Sequence, residues 1–133
     1  MAARLNFLAQ DRTDQQYAVK EVSRFMPAPR TQDWDCLRRA GLYLLYKPRA
    51  TIFYKWQGEQ FELTVYSDTH WAGCRTTRRS TSGGMVLRGS HLIRSWPRQQ
   101  HLVSLSSAEA ELYGFVKASS EALGIKSMAK DFG

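Results

Sequence analysis

Cysteine is scarce in this chain of 133 residues: Cys36 and Cys74 are the two present. That excludes a disulfide framework, and no CxxC pair offers a zinc site. His70 and Cys74 are poorly spaced to make one with Cys36 or His101. No apolar run approaches the ~20 residues of a membrane-crossing helix. The opening MAARLNFLAQDR lacks the apolar stretch of a secretory signal. These absences point to an intracellular chain, in cytoplasm or nucleus, with no membrane partner. Acid is also missing locally. Between Asp68 and Glu109 there is no Asp or Glu, while Arg75, Arg78, Arg79, Arg88, Arg94 and Arg98 fall there.

What is present suffices for one folded domain. Hydrophobic residues make up 43% and charged residues 23%, and 19 Lys+Arg against 12 Asp+Glu give +7. That balance excludes a disordered chain. A tract of six arginines, with their planar forks, favours phosphate oxygens and hence a nucleic-acid partner. A solvated basic face is the plainer alternative.

The N-terminal third has helical periodicity. A short turn is expected around Leu5 to Leu8. Residues 13–26 read as a helix with a Thr13–Gln16 capping box and an apolar stripe of Ala18, Val22, Phe25 and Met26. Pro27 and Pro29 end it. A second helix, 31–47, places Trp34, Leu37, Gly41, Leu44 and Leu45 on one face and stops at Pro48. Residues 1–49 thus form a helical segment, and the period changes to two from residue 50. Segments 51–56 and 61–67 are rich in β-branched and aromatic residues and read as strands joined by a four-residue loop. Two short strands, 84–88 and 91–96, flank a Gly89-Ser90 turn of type II′. A long helix starts at Ser106 or Ser107, with Ser106 and Glu109 as capping pair, and runs to about Lys130. The expected fold is α+β: an antiparallel sheet of three or four strands, with 61–67, 84–88 and 91–96 as a meander and the long helix across one face.

Two carboxylates stand out. Asp68 ends an apolar strand at a glycine-containing loop, and Glu111 lies in the first turns of the long helix. A strand-end Asp facing a helix Glu can share Mg²⁺, which keeps several waters. Two such ions can clamp a phosphodiester. Each residue alone has an ordinary structural explanation, as a turn former or as complement to a helix dipole.

The pattern as a whole is more specific. Tyr66-Ser67-Asp68-Thr69-His70-Trp71-Ala72-Gly73-Cys74, then Thr77-Arg78-Arg79-Ser80-Thr81-Ser82-Gly83, then Leu105-Ser106-Ser107-Ala108-Glu109-Ala110-Glu111-Leu112-Tyr113 resembles the ribonuclease H region of copia-type retrotransposon polyproteins. Residues 12–48 resemble the segment that joins reverse transcriptase to that region. The resemblance implies a ribonuclease H-like domain over 50–133 and cleavage of RNA in an RNA–DNA hybrid with Mg²⁺ or Mn²⁺. Asp68 and Glu111 would be both the catalytic residues and the metal ligands, and Glu109 the cap partner. Arg75, Arg78, Arg79, Ser80 and Arg98 would contact nucleic acid. The rest of a reverse transcriptase polyprotein is the implied protein partner.

His70 stands where relatives often carry an acidic or polar residue. The family's third carboxylate, and usually a fourth, come from later strands, and this chain reaches Gly133 before the first of them. Neither Asp131 nor Glu62 lies near enough to substitute. The metal is therefore expected to bind weakly and cleavage to be poor. Segment 51–56, which carries no acid, is expected to pair antiparallel with 61–67 along the vacant edge. The alternatives are an inactive fragment that binds nucleic acid and a fragment that only packs against a partner.

Overall fold

The computed structural model describes residues 2–60 and 62–132. The chain divides into two compact units, Met1–Phe53 and Tyr54–Gly133.

The first unit is helical: α1 (Ala2–Leu8), a 3₁₀ turn (Thr13–Gln15), α2 (Gln16–Ser23) and α3 (Thr31–Tyr46). The expected Thr13–Gln16 capping box is absent, and α2 begins without a side-chain cap. The tighter 3₁₀ turn changes the phase of the helix after it. Val19 and Val22 are buried, whereas Ala18 and Met26 are exposed. On α3 the packed residue is Ala40, and Trp34 and Leu45 of the expected stripe are 60% and 79% exposed. Asp33 caps α3 by accepting the Arg30 backbone N–H at 2.9 Å.

A buried arginine organises this unit. Arg12, 7% exposed, donates through Nε and Nη2 to both Asp14 carboxylate oxygens, each at 2.9 Å. It also donates to the carbonyls of Lys47 and Pro48, tying the turn before α2 to the end of α3. Tyr43 donates its hydroxyl to the same carboxylate. The Arg12 bonds, aided by Tyr43, lower the Asp14 pKa to about 2.

The second unit is an antiparallel sheet in the order β1 (Leu63–His70), β2 (Thr81–Arg88), β3 (His91–Gln99), followed by α4 (Ser107–Asp131). The meander is as expected, with longer strands. Asp68 lies within β1, opposite Gly83, and not at its end. β3 runs past Pro97, which is tolerated because β3 is an edge strand. Gly89 has φ 59° and Ser90 does not enter that region, as a II′ turn requires. The register shifts between Val86 and Leu87, so that Ile93 has no partner on β2.

Segment 51–56 is not a strand. Tyr54 donates to the Leu92 carbonyl at 3.0 Å and packs edge-on against His91. Gln57 donates to Arg88 O and accepts from Ser90 N. These side-chain bonds hold 54–57 against the β2–β3 turn, with no ladder to β1. Among the described residues no strand pairs with the outer edge of β1. The expected strand's first residue, Phe61, lies outside the described residues.

Ser106 caps α4 by accepting from Glu109 N, while Glu109 Oε2 accepts from Leu105 N at 2.7 Å. The helix is continuous through Gly114 and Gly124. Its buried stripe is Ala110, Gly114, Ala118 and Ile125, against β1 and β2. A Cβ at Gly114 would lie 2.5 Å from Thr69 Oγ1 and 3.2 Å from Ser67 Oγ. Thr69 and Ser82 hydroxyls bond each other. Gln100 completes this seam: Nε2 donates to Ser82 Oγ and Ala110 O, both at 2.8 Å, and Oε1 accepts from Ser104.

Both networks can be tested. Because the folded pKa of Asp14 lies below its ordinary 3.8, its stabilisation is complete above that value. It is lost as pH falls through about 2. Asp14→Asn should remove this acid dependence between pH 4 and 2 in urea unfolding, and cost about 1–3 kcal/mol at neutral pH by leaving a buried guanidinium short of its partner. Gln100→Leu should cost a similar ~1–3 kcal/mol, since Ser82, Ala110 and Ser104 lose their partner together. Loss of less than about 0.5 kcal/mol in chemical denaturation would show that the seam does not depend on Gln100.

Candidate functional site

The sheet's pleat decides which side chains meet α4. Gly114 faces Thr69, Ser67 and Ser82. Residues paired directly across antiparallel strands share a face. Val65, Ser67 and Thr69 of β1, Ser82, Gly84 and Val86 of β2, and Arg94, Trp96 and Arg98 of β3 therefore lie on the helix side. Thr64, Tyr66, Asp68 and His70 alternate to the other side.

Glu111 comes one residue after the buried Ala110, about 100° round the helix, and so flanks the packed stripe. It lines a groove of about 600 Å³ together with Val65, Tyr66, Ser67, Leu112 and Phe115. This groove follows the β1 edge along which no described strand pairs. Leu112 and Phe115 leave 61% and 65% of their surface exposed there. Asp68 is the next residue along β1 after this lining. It is exposed, and the absence of a side chain on Gly83 leaves the sheet open opposite it.

Neither the Asp68 nor the Glu111 side chain has a hydrogen bond or ion pair among the described residues. In that respect they suit an ion that takes one or two carboxylates and retains water. Among the described residues no group of three His, Cys, Asp or Glu side chains is placed to hold a metal. A centre of three or more protein carboxylates does not fit these residues.

The basic loop after β1 is held by its backbone. Cys74 N donates to Arg79 O and Arg78 N to Cys74 O, at 3.1 and 2.7 Å. Cys74 is buried, and its Sγ accepts from Thr77 N. Arg78 takes a left-handed φ of 55°. This turn leaves Arg75, Arg78 and Arg79 exposed. Ser80 corrects an expectation. It is fully buried, its Oγ accepts from Ala72 N and its carbonyl from Gln100 N. It therefore fixes the loop and is inaccessible to a ligand. The sequence missed this because the hydroxyl resembles its exposed neighbours Thr76 and Thr77 in type. Arg98 is exposed on the α4 side, the face opposite that of Asp68.

No helix among the described residues is long and apolar enough to cross a membrane. No family model matches the chain, and no solved structure matches it. It is 37% identical over 97% of its length to the retrovirus-related Pol polyprotein from transposon RE2 of Arabidopsis thaliana, and equally so to that from transposon RE1. It spans 9% of the length of each. It is 32% identical to the secreted RxLR effector protein 161 of Plasmopara viticola, over 84% of this chain and 78% of that protein. Over almost its whole length the chain is thus similar to one short segment of retrovirus-related Pol polyproteins of transposons.

Proposed function

We propose that this chain is the ribonuclease H region of such a polyprotein, with the connecting segment before it, and that it acts on RNA–DNA hybrids. The supporting observation is the placement of the three motifs. The first forms β1 and the turn after it, the second enters β2, and the third is the first turns of α4. Glu111 and the residues next to Asp68 border one groove at an edge of β1 open to both faces. The pleat turns Asp68 away from α4, so on this reading the two carboxylates would have to meet round the uncovered edge of β1 rather than across the strand–helix interface.

Asp68 and Glu111 would hold Mg²⁺ or Mn²⁺. When bound, the metal supplies Lewis acidity and an activated water for phosphodiester hydrolysis. The chain's own contribution is positioning. Ser80 and Cys74 brace the loop, and Arg75, Arg78 and Arg79 hold backbone phosphates beside the groove. With two carboxylates the ion is weakly held, so turnover is slow and rises with metal concentration. The second reading, a hybrid-binding fragment without turnover, is favoured by the absence of a three-ligand cluster among the described residues.

Hybrid cleavage assayed across a range of Mg²⁺ and Mn²⁺ separates these readings. Weak cleavage that disappears in Asp68→Asn and Glu111→Gln supports the enzyme. Cleavage that persists unchanged in both variants refutes this site. Binding without cleavage at any metal concentration selects the second reading.

Replacing Arg75, Arg78 and Arg79 together with Ala should weaken hybrid binding. It should also flatten the plot of log affinity against log salt by up to about three phosphate contacts' worth. An unchanged slope would assign these arginines to solubility.

A further inference from the structure

Where the end of β3 meets α4 there is a second cavity, of about 300 Å³, lined by Arg98, His101, Leu102, Tyr113 and Lys117 among others. It is separate from the groove that Glu111 lines. Its volume is at the lower end for small-ligand pockets, enough for one nucleotide-sized molecule.

The charges around it leave a surplus. Glu121 pairs with Lys117 at 2.5 Å and with Arg94 at 3.2 Å. Both cations already share this one carboxylate. The Lys117 hydrogen bond, with the fields of Arg94 and Arg98, lowers the Glu121 pKa against the effect of burial. The Arg98 side chain has no hydrogen bond or ion pair of its own among the described residues. Three cations against one acid leave two positive charges, and Arg98 is the cation free to accept a ligand.

The rest of the lining is selective in another way. Ser82 also borders the cavity, but Gln100 and Thr69 already bond its hydroxyl. Leu102 and the Tyr113 ring supply apolar wall, and the Tyr113 hydroxyl and the His101 ring have no hydrogen-bond partner among the described residues. A guanidinium and an aromatic ring lining one cavity match an anion attached to a planar ring. A guanidinium fork suits phosphate, and an aromatic face takes a nucleobase of any sequence.

We propose that this cavity binds a nucleoside monophosphate, with Arg98 on the phosphate and Tyr113 against the base. The site stands on these residues alone and needs neither metal nor hybrid cleavage.

The test is titration of the full chain with adenosine 5′-monophosphate, inorganic phosphate and adenosine, monitored by NMR shifts. The monophosphate should bind saturably with one equivalent, about tenfold tighter than phosphate, the difference coming from the stacked base. Arg98→Ala should weaken it about tenfold, as loss of a charge-assisted bond does. Tyr113→Phe should keep the affinity and Tyr113→Ala should lose it. Far-UV circular dichroism checks that each variant folds. Absence of saturable binding, or an unchanged affinity in Arg98→Ala, overturns the proposal. Equal affinity for phosphate and monophosphate overturns the assignment of the ring. The outcome is independent of hybrid cleavage: a chain that cleaves nothing can still bind the monophosphate here, and one that cleaves can fail to.

Discussion

The C-terminal unit depends on how closely α4 can approach the sheet. The helix meets β1 and β2 through Ala110, Gly114 and Ala118, and Gly114 has no room for a Cβ. Small residues permit this approach, but beneath them the sheet presents hydroxyls: Ser67, Thr69 and Ser82. A buried hydroxyl without a partner costs free energy comparable to a lost hydrogen bond. Gln100 resolves the conflict, since one amide bonds Ser82, the Ala110 carbonyl and Ser104. The tight helix–sheet contact and the polar seam therefore require each other.

That contact also separates the molecule's charges. With the stripe of Ala110, Gly114 and Ala118 turned to the sheet, Glu111 must flank it on the β1 side, and Lys117 and Glu121 flank it near β3. The carboxylate thus falls on the groove at the open edge, while the cations gather at the second cavity. The pleat adds a further division, with Arg94 and Arg98 on the α4 side and Asp68 on the other. A strand edge that no described strand covers normally invites pairing. In β1 the same edge borders the groove that Glu111 lines.

Buried polar groups do comparable work in the helical unit. Arg12 is held by Asp14 and by the carbonyls of Lys47 and Pro48. It fixes the turn before α2 against the end of α3, where few large apolar side chains are buried. Asp14 stays ionised well into acid because the guanidinium and Tyr43 both stabilise its charged form.

The sequence by itself determined the elements whose signals are local. The 3.6-residue period marked α3, Ser106 marked the start of α4, and Gly89-Ser90 marked the β2–β3 hairpin, because caps and two-residue turns need particular residue types at fixed spacing. It also determined kinship, since three ordered motifs carry more information than any single residue. Tertiary structure alone decided the rest. Segment 51–56 has strong β propensity, yet Tyr54 and Gln57 bind the hairpin end, and propensity cannot choose between such long-range partners. The α2 stripe shifted because the 3₁₀ turn before it changed its phase. Ser80 became a brace because burial depends on the neighbours that cover it. The face on which Asp68 points, and the placement of Arg98 and Tyr113 on one cavity, depend on strand register and helix placement, and both are set by contacts between residues distant in the chain.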